Sequence, residues 1–346
     1  MGSLRGRLLT AASGGNRAGN SPYPKVSFMK TLIIGGSSFV GRAIALAALE
    51  AGHDVTVFNR GATATDLPSD IRRLVGDRRL DLSALNGHSF DTTIDAIAYQ
   101  RRDVELLHDA LGERGGHYLQ ISSISAYEEP SAVGADESTP LLQLGDGDPN
   151  AVVTNETYGV LKAECERAAA ERFGSEIAIV RPTYVIGGHD KTMRFPYWVA
   201  RMQRGGRVAF PGPRANALQW IDVRDLGAFV VSLSERRYAG AVNANGPVAT
   251  FGEVVSRIAA HVAPEGTTLT EIEAKRVLQL DLGEKFPLWT GLLSETMLAM
   301  SNTKAHALGL SLRSLEDGID DTAAWFGDRP WPEQWLTPDD ELRLLA

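Results

Sequence analysis

Two hydrophobic periodicities alternate along the first half of the chain. Short β-branched and apolar runs predict strands, namely Thr31–Ile34, Val55–Phe58, Arg73–Val75, Thr92–Ile97, Tyr118–Ser122 and Ile177–Val180. Longer stretches between these runs have the pattern of helices, notably Val40–Ala51, Asp103–Glu113 and Thr157–Arg172. Strands that alternate with helices predict an α/β protein with a Rossmann-type doubly wound parallel sheet.

The pattern becomes less regular beyond Pro182. Glycine and proline interrupt Gly187–Pro213, and Trp220–Val223 has the pattern of a strand that returns to the sheet. Three further stretches predict the helices of a smaller lobe, at Phe251–Val262, Leu292–Ala299 and Leu315–Phe326. We therefore expect a dinucleotide-binding core at residues 29–182 and a mainly substrate-binding C-terminal lobe at 183–346, with 216–246 returning to the core.

The first 28 residues differ in composition from the rest of the chain. They hold four basic residues, no acidic residue, and a middle part rich in Gly, Ser and Asn. An organelle-targeting peptide has a similar composition, but the apolar stretch Leu8–Ala12 is too short for a secretory core. Because Met29 directly precedes the first strand, we expect residues 1–28 to be a disordered tail or the product of an upstream start codon.

Composition excludes several classes of function. A formal net charge of −8 over 346 residues gives no electrostatic support to general nucleic-acid binding. The single cysteine, Cys165, rules out a disulfide within the chain and favours a reducing, cytoplasmic location. The seven histidines lack ligand spacing, so we expect no metal site. No apolar run approaches the roughly 20 residues that span a bilayer, so no membrane partner is expected.

A glycine-rich turn joins the first predicted strand to the first predicted helix. The segment Gly35–Gly41 keeps glycine at both ends of a Gly-x-x-Gly-x-x-Gly spacing. The first glycine permits a tight turn, the last allows close helix packing, and the helix N-terminus favours a pyrophosphate. A packing turn is the alternative. The binding interpretation predicts cofactor contacts from Gly35, Ser37, Ser38, Phe39, Val40 and Gly41.

The end of the second strand bears on the choice of cofactor. A site selective for NAD places a carboxylate there, whereas this chain has Asn59 followed by Arg60. Asparagine does not repel a 2′-phosphate and arginine attracts one, so NADP(H) is favoured over NAD(H). Arg60 as an ordinary surface charge is the alternative. Asp77, after the third strand, is a candidate acceptor for the adenine amino group or a turn residue.

Tyr158 and Lys162 lie four residues apart, so on a helix they share one face. A free tyrosine has a pKa of about 10, and a nearby lysine lowers that pKa by favouring the phenolate. Such a tyrosine can donate and accept a proton at neutral pH. A surface contact would be the simplest explanation of the pair alone, but together with the glycine turn it indicates hydride-transfer chemistry.

These motifs resemble the short-chain dehydrogenase/reductase superfamily, most closely its extended branch, the NAD-dependent epimerase/dehydratases. The resemblance runs from about Met29 to Gly246 and weakens in the C-terminal lobe. Four features occur in the family's order: the glycine turn, Ser122-Ser123-Ile124-Ser125-Ala126-Tyr127, Tyr158-Gly159-Val160-Leu161-Lys162, and Arg181-Pro182-Thr183.

The resemblance implies roles for individual residues. Ser123 would be the catalytic serine that hydrogen-bonds the reacting oxygen of the substrate, although Ser122 and Ser125 leave some ambiguity of register. Tyr158 would exchange a proton with that oxygen, and Lys162 would bind the nicotinamide ribose. Ile97 and Ala98, at the end of a strand, would lie against the cofactor, and Pro182 and Val185 would lie near its carboxamide.

Departures from the family pattern narrow the chemistry. Sugar-nucleotide dehydratases carry Asp and Glu where this chain has Ile124 and Ser125, so that reaction is disfavoured. Epimerases of nucleotide sugars commonly carry an asparagine shortly after the sixth strand's arginine, and this chain reads Arg181-Pro182-Thr183-Tyr184 there. The segment Gly35-Gly36-Ser37-Ser38-Phe39 also resembles an atypical subgroup that includes chloroplast stem-loop RNA-associated proteins.

Several functions remain open at this stage. The leading expectation is an NAD(P)-dependent oxidoreductase that transfers hydride between nicotinamide and an alcohol/ketone carbon of a small molecule. An epimerase with tightly retained NAD is an alternative, and a non-catalytic dinucleotide sensor or RNA-associated protein is another. A homodimer through Asp103–Glu113 and Thr157–Arg172 is expected by analogy. Residues that could meet an anionic substrate group, without an assignment among them, are His189, Arg194, Tyr197, Arg201 and Arg204.

Overall fold

The computed structural model describes residues 29–62, 66–291 and 296–346 of the protein. The strands, in chain order, are β1 (Lys30–Ile34), β2 (Asp54–Asn59), β3 (Arg72–Val75), β4 (Thr92–Asp95), β5 (His117–Ile121), β6 (Ala178–Pro182), β7 (Tyr184–Ile186), β8 (Arg207–Pro211), β9 (Ala217–Leu218), β10 (Trp220–Asp222), β11 (Gly240–Ala244), β12 (Ala249–Thr250) and β13 (Thr268–Ile272). The α-helices are α1 (Phe39–Glu50), α2 (Arg101–Leu111), α3 (Asn155–Phe173), α4 (Arg194–Gln203), α5 (Val223–Glu235), α6 (Phe251–Val262), α7 (Ala274–Gln279), α8 (Thr303–Ala307), α9 (Leu315–Phe326) and α10 (Pro338–Leu345).

Seven parallel strands form the central sheet in the order β11-β6-β5-β4-β1-β2-β3. The order reverses at β1, which pairs with β2 on one side and with β4 on the other. Ile34, the last residue of β1, is paired with Phe58 and with Asp95, so the carboxyl ends of these strands share one edge. In open α/β sheets such a reversal point creates the crevice that binds ligands. The predicted Rossmann-type doubly wound α/β fold is confirmed.

Helices cover both faces of the central sheet, each over its own apolar core. On one face α1 and α5 pack over residues such as Ile33, Val57 and Val180. On the other face α2 and α3 pack over residues such as Leu32 and Ile179. Burial of both faces explains why the inner strands are apolar runs without alternation, whereas the edge strand β3 is mostly exposed.

The C-terminal lobe has a third core that is separate from those of the sheet. Apolar residues of α4, α6, α9 and α10 meet there beside the two-stranded pair of β8 and β13. Arg201 on α4 donates to the Glu341 carboxylate on α10 at 2.9 and 3.1 Å, and both residues are buried. The lobe is therefore held by apolar packing and by one buried ion pair between distant parts of the chain.

The structure differs from the sequence-based expectations in two places. The strand expected to return to the sheet at Trp220–Val223 is β10, and it pairs with β7 in a separate two-stranded sheet. The following helix α5 and strand β11 do reach the central sheet, where β11 pairs with β6. Residues 296–299, the described part of the helix expected at Leu292–Ala299, form turns and a bend. Residues 1–28 lie outside the described part of the chain.

Within the described ranges, no helix combines the length and apolar character that crossing a bilayer requires. Over the same ranges, His, Cys, Asp and Glu side chains form no group of three or more that could hold a metal ion. Cys165 is fully buried on α3, and burial raises the pKa of its thiol to about 12. That environment suits a packed side chain and disfavours a nucleophile.

Candidate active site

The glycine turn between β1 and α1 is fixed by close backbone packing. Gly35 has a φ of +87°, a left-handed conformation that glycine adopts without steric cost. A Cβ added to Gly41 would lie 2.3 Å from the carbonyl oxygen of Gly35, so only glycine allows α1 to begin this close to the strand. The two outer glycines therefore have the turn and packing roles that the sequence predicted.

The N-terminus of α1 is open to an anion. Ser38 is the N-cap residue, yet its side chain makes no capping hydrogen bond, and the first turn of the helix has no acidic residue. Phe39 adopts a φ of +41°, a backbone conformation that is strained for any residue other than glycine. Uncapped N–H groups at a helix N-terminus are suited to a phosphate group. The turn thus fits the pyrophosphate of a dinucleotide.

Two cavities meet at this turn. The first, which we name the β2 cavity, has a volume of about 630 Å³ and lies beside the carboxyl end of β2. The second, which we name the α3 cavity, has a volume of about 710 Å³ and extends from the turn to α3. Both cavities are lined by Gly35, Ser38, Ile97 and Tyr99.

The β2 cavity contains the predicted residues Asn59, Arg60 and Asp77. The Asn59 side-chain oxygen accepts a hydrogen bond from the Gly61 N–H at 2.9 Å, and Asp77 Oδ1 accepts one from the Arg79 N–H at 2.9 Å. Both side chains thus also stabilise their own turns. Their predicted contacts with a cofactor stay predictions.

The β2 cavity is rich in positive charge. Arg60, Arg102 and Lys191 line it and are exposed, and none of them has an ion-pair partner among the described residues. Arg78, also on its wall, is instead buried and donates to both oxygens of Asp95 at 2.8 Å. Three cations thus remain available to a ligand, of which the sequence had indicated only Arg60.

The α3 cavity brings the three predicted catalytic side chains together. Ser123 follows β5, while Tyr158 and Lys162 lie on α3, and all three line the same space. Pro182 at the end of β6 and Val185 in β7 line it too, as do residues of the glycine turn. The Tyr158 hydroxyl group has no hydrogen-bond partner among the described residues, so it is free to meet a ligand.

The serines after β5 all line the α3 cavity but make different hydrogen bonds. Ser122 is buried and its hydroxyl donates to Glu166 on α3. The Ser123 oxygen accepts a hydrogen bond from the Ser125 N–H at 3.1 Å, as the N-cap of a single 3₁₀ turn. Ser123 retains its O–H donor, because a serine hydroxyl can donate and accept at the same time. Ser123 can therefore cap the turn and also donate to a ligand.

Lys162 makes contacts that the sequence did not indicate. Its ammonium donates to the carbonyl oxygens of Ala98 at 2.9 Å and Ile121 at 2.6 Å, and the side chain is 2% exposed. The Tyr99 ring centroid lies 5.1 Å from this ammonium and 6.4 Å from the Tyr158 ring centroid. An ammonium has three donors, so one remains for a ribose hydroxyl.

A buried polar network supports the α3 cavity from behind. Arg181 on β6 donates to the Glu166 carboxylate at 3.0 and 2.5 Å and to the Tyr127 hydroxyl at 2.6 Å. Tyr127 in turn donates to the Asn243 side chain at 2.7 Å. Burial raises the pKa of Tyr127 to about 12 despite the adjacent guanidinium. The network ties α3 to the ends of β5, β6 and β11.

The structure brings nearly all predicted site residues to the two cavities. Ala98 is the exception, because it is fully buried and reaches the site only through its carbonyl bond to Lys162. Tyr99 was missed, although it directly follows the predicted pair Ile97 and Ala98. Lys191 and Thr192 lie within Gly187–Pro213, a segment expected to line the substrate site, but neither was named, because no periodic pattern marks single residues in an irregular loop.

The loop between β7 and α4, residues 187–193, contributes to three cavities. His189 lines a third cavity of about 550 Å³ next to α1, Lys191 lines the β2 cavity, and Thr192 lines the α3 cavity. His189 and Met193 have positive φ angles of 64° and 59°. Asp190 between them is fully buried, and its carboxylate accepts from the Thr192 N–H at 2.8 Å and from its hydroxyl at 2.6 Å.

Comparison with known proteins agrees with this fold. The chain resembles the UDP-N-acetylglucosamine 4-epimerase from Bacillus cereus, with a TM-score of 0.65, 15% identity, and 89% of this chain and 100% of that chain covered. It also resembles the Bordetella bronchiseptica enzyme WbmG in complex with NAD, with a TM-score of 0.65, 18% identity and 88% and 95% coverage. At these identities the likeness concerns the fold alone.

A sequence relative and a family model extend the comparison. The "chloroplast stem-loop binding protein of 41 kDa b" from Arabidopsis thaliana is 24% identical over 213 residues. That match covers 57% of this chain and about half, 53%, of the Arabidopsis protein. The model of the NAD dependent epimerase/dehydratase family matches residues 31–245, which is more than half of the chain. This range holds all lining residues of the β2 cavity and all but Thr290, Met297 and Leu298 of the α3 cavity. The chain therefore belongs to the NAD dependent epimerase/dehydratase family.

Proposed function

We propose that this protein is an NAD(P)-dependent oxidoreductase that transfers hydride between nicotinamide and an alcohol/ketone carbon of a small molecule. One observation carries the proposal: Ser123, Tyr158 and Lys162 line a single cavity that begins at the glycine turn. If Ser123 only capped a turn and Tyr158 and Lys162 were only a surface pair, nothing would require these three side chains to line one cavity beside the glycine turn.

The residues of the α3 cavity divide the proposed work among them. The Ser123 hydroxyl donates to the reacting oxygen of the substrate and orients it. The Tyr158 hydroxyl transfers a proton to or from that oxygen, because it is unengaged and faces the same space. Lys162 fixes the position of α3 through two backbone carbonyls and presents its third donor to the cavity. When bound, the nicotinamide supplies or accepts the hydride.

The cofactor would span both cavities. The open N-terminus of α1 would hold the pyrophosphate, the α3 cavity the nicotinamide half and the β2 cavity the adenosine half. We favour NADP(H) over NAD(H), because Arg60, Arg102 and Lys191 offer unpaired positive charge to a 2′-phosphate. The family's name and the NAD complex of its relative WbmG point to NAD, so the preference for NADP rests on these charges alone.

Identification of the bound nucleotide tests the proposal first. The purified protein would be denatured and any released nucleotide identified by mass spectrometry. Stoichiometric NAD⁺ would overturn the NADP preference and favour an epimerase that retains and regenerates its cofactor. Empty protein that binds NADPH more tightly than NADH would support a reductase or dehydrogenase that exchanges its cofactor. Protein that binds neither nucleotide would contradict the proposed function.

Two functions without catalysis compete with this proposal. A dinucleotide sensor of the same fold would bind the cofactor but would not need the free Tyr158 hydroxyl. RNA binding is suggested by the name of the Arabidopsis relative, while the net charge of −8 argues against it. A titration with stem-loop RNA at several salt concentrations separates these cases, since binding through phosphates weakens steeply as salt rises.

A homodimer through α2 and α3 and a cytoplasmic location stay predictions. The outer face of this helix pair carries ion pairs within the chain, among them Arg101–Glu105 at 3.0 Å and Arg172–Glu105 at 3.5 Å. A dimer built on this face would bury charges that are already paired, so we expect it to be weak and sensitive to salt. Light scattering at low and high salt measures the oligomeric state.

A further inference from the structure

Five residues of the loop and helix after β7 were candidates for contact with an anionic substrate group, and the structure separates them. His189 lies in the third cavity with its ring centroid 5.6 Å from that of Trp325, and Tyr197 is fully buried in the core of the lobe. Arg201 is buried and engaged with Glu341, and the Arg204 guanidinium lies 3.6 Å from the Trp331 ring centroid. Among these five residues, only Arg194 lines the α3 cavity.

The Arg194 side chain is positioned but not neutralised. Its Nε donates to the Thr192 hydroxyl at 3.0 Å, and its guanidinium carbon lies 5.2 Å from the Tyr184 ring centroid. Among the described residues no carboxylate lies within ion-pair distance of it, and its two terminal nitrogens have no hydrogen-bond partner. A guanidinium that is oriented through Nε presents its terminal N–H groups as a fork, which matches a carboxylate or phosphate.

The surroundings of Arg194 suggest the rest of the ligand. Glu129 and Asn155 also line the α3 cavity and offer acceptor and donor atoms for hydroxyl groups. Glu129 already accepts the Thr296 hydroxyl at 2.7 Å, so it is held in place at the wall. Asp190, the other nearby acid, directs one oxygen to Thr192 and is fully buried. The cavity thus combines one available guanidinium with hydroxyl-binding groups.

We propose that the substrate carries an oxyanion, a carboxylate or a phosphate, which Arg194 binds through its terminal N–H groups. The substrate would then be an anionic hydroxy or keto compound whose reacting carbon faces Tyr158 while its charged group faces the lobe. This inference rests on the proposed function, because it assigns the substrate of the same cavity.

The test compares R194Q with R204Q by calorimetry on the cofactor-loaded protein. The probes are inorganic phosphate, malonate, glycerate and glycerol 3-phosphate, with glycerol as the neutral counterpart. We expect the wild type and R204Q to bind at least one anionic probe in preference to glycerol. R194Q should bind that probe about 10- to 100-fold more weakly, as expected for the loss of hydrogen bonds to a charged group. R194K, which keeps the charge but not the fork, should be intermediate.

Two results would overturn the inference: wild type that binds none of the anionic probes, or R194Q that binds them as the wild type does. Unchanged circular dichroism and cofactor affinity of R194Q exclude a folding defect, and R194K provides the comparison if R194Q does not fold. Because calorimetry needs no turnover, failure here leaves cofactor binding and the role of Tyr158 intact. Conversely, if the protein bound no cofactor, the proposed function would be contradicted, but the same titration could still be carried out on the cofactor-free protein.

Discussion

The α3 cavity and the β2 cavity meet at one glycine turn but are built in opposite ways. In the α3 cavity, the proposed catalytic residues Tyr158 and Lys162 lie on α3 and Ser123 caps the short turn after β5, and a buried network from Glu166 to Asn243 fixes these elements. In the β2 cavity, the available cations Arg60, Arg102 and Lys191 are exposed, and two of them lie in loops or turns. The difference indicates that the reactive end is preorganised, whereas the end that would select the cofactor is held loosely.

The replacement Y158F is the strongest way to test the preorganised end. It removes the hydroxyl that would transfer the proton and keeps the ring, so we expect turnover to fall about 10²- to 10⁴-fold. The affinity for the cofactor should not change, because the hydroxyl has no hydrogen-bond partner among the described residues and so does not stabilise the fold. Steady-state kinetics together with a cofactor titration measure both quantities, and unchanged turnover would show that the Tyr158 hydroxyl does not transfer the proton.

A second variant breaks the network behind the α3 cavity. R181M leaves the buried Glu166 carboxylate without its partner, and loss of one member of a buried pair costs about 3–5 kcal/mol of unfolding free energy. The double variant R181M/E166L removes both charges and should recover much of this loss. Urea denaturation measures the three proteins. If R181M alone were as stable as the wild type, the network would not fix the cavity.

Much of this end of the molecule was predictable from the sequence, for a physical reason. Gly35, Gly41, Tyr158 and Lys162 are set by local rules, namely turn geometry and helical spacing, and the chain records such rules directly. The central strands are buried on both faces, so their apolar runs were also recognisable. By contrast, the lysine's bonds to the Ala98 and Ile121 carbonyls depend on how three elements pack, which no local pattern encodes.

A third variant tests the loosely held end. K191Q removes one exposed cation of the β2 cavity, and we expect it to weaken NADPH binding about tenfold, a change of about 1.4 kcal/mol. NADH binding should hardly change, because NADH lacks the 2′-phosphate. R72Q, which removes an exposed cation outside both cavities, is the matched control. Equal losses for the two cofactors would place Lys191 on the pyrophosphate, and no loss for either would place it outside the site.

The smallest effect is expected in the loop that joins the two cavities. Burial raises the pKa of Asp190 above its ordinary value of 3.8, and one of its oxygens has no hydrogen-bond partner among the described residues. The Asp190 carboxyl group therefore binds its proton more tightly in the folded state than in the unfolded state. As a result, the free energy of unfolding falls as pH rises above about 3.8.

D190N should consequently be slightly more stable than the wild type at neutral pH, since its amide oxygen can still accept from Thr192. The difference should shrink as the pH falls towards 3.8, where the unfolded chain also binds the proton. Thermal denaturation at several pH values checks this, and D190S at neutral pH provides a variant without a buried amide. A destabilised D190N at every pH would show that the carboxylate is charged and needed.

The lobe was less predictable than the core. Two-residue strands such as β9 and β12 leave no periodic signal, and the Arg201–Glu341 pair joins residues 140 positions apart. The strand at Trp220–Asp222 was recognised as a strand, but its pairing with β7 depends on the route of the chain. Arg194 was one of five candidates that the sequence could not tell apart, and only the fold places it in the α3 cavity. Lys191 and Thr192 were recognised individually only once the fold placed them beside the cavities.

The adjacency of Lys191 and Thr192 has a consequence for how the protein could change over evolutionary time. Since neighbouring residues line different cavities, an insertion or a shift in this loop would alter both cavities together. Cofactor choice and substrate choice are then not independent traits for selection. A lineage that acquires a new substrate by remodelling this loop would also have its nucleotide preference altered. Arg60, at the end of β2 and outside the loop, would then be a separate position at which that preference could be restored.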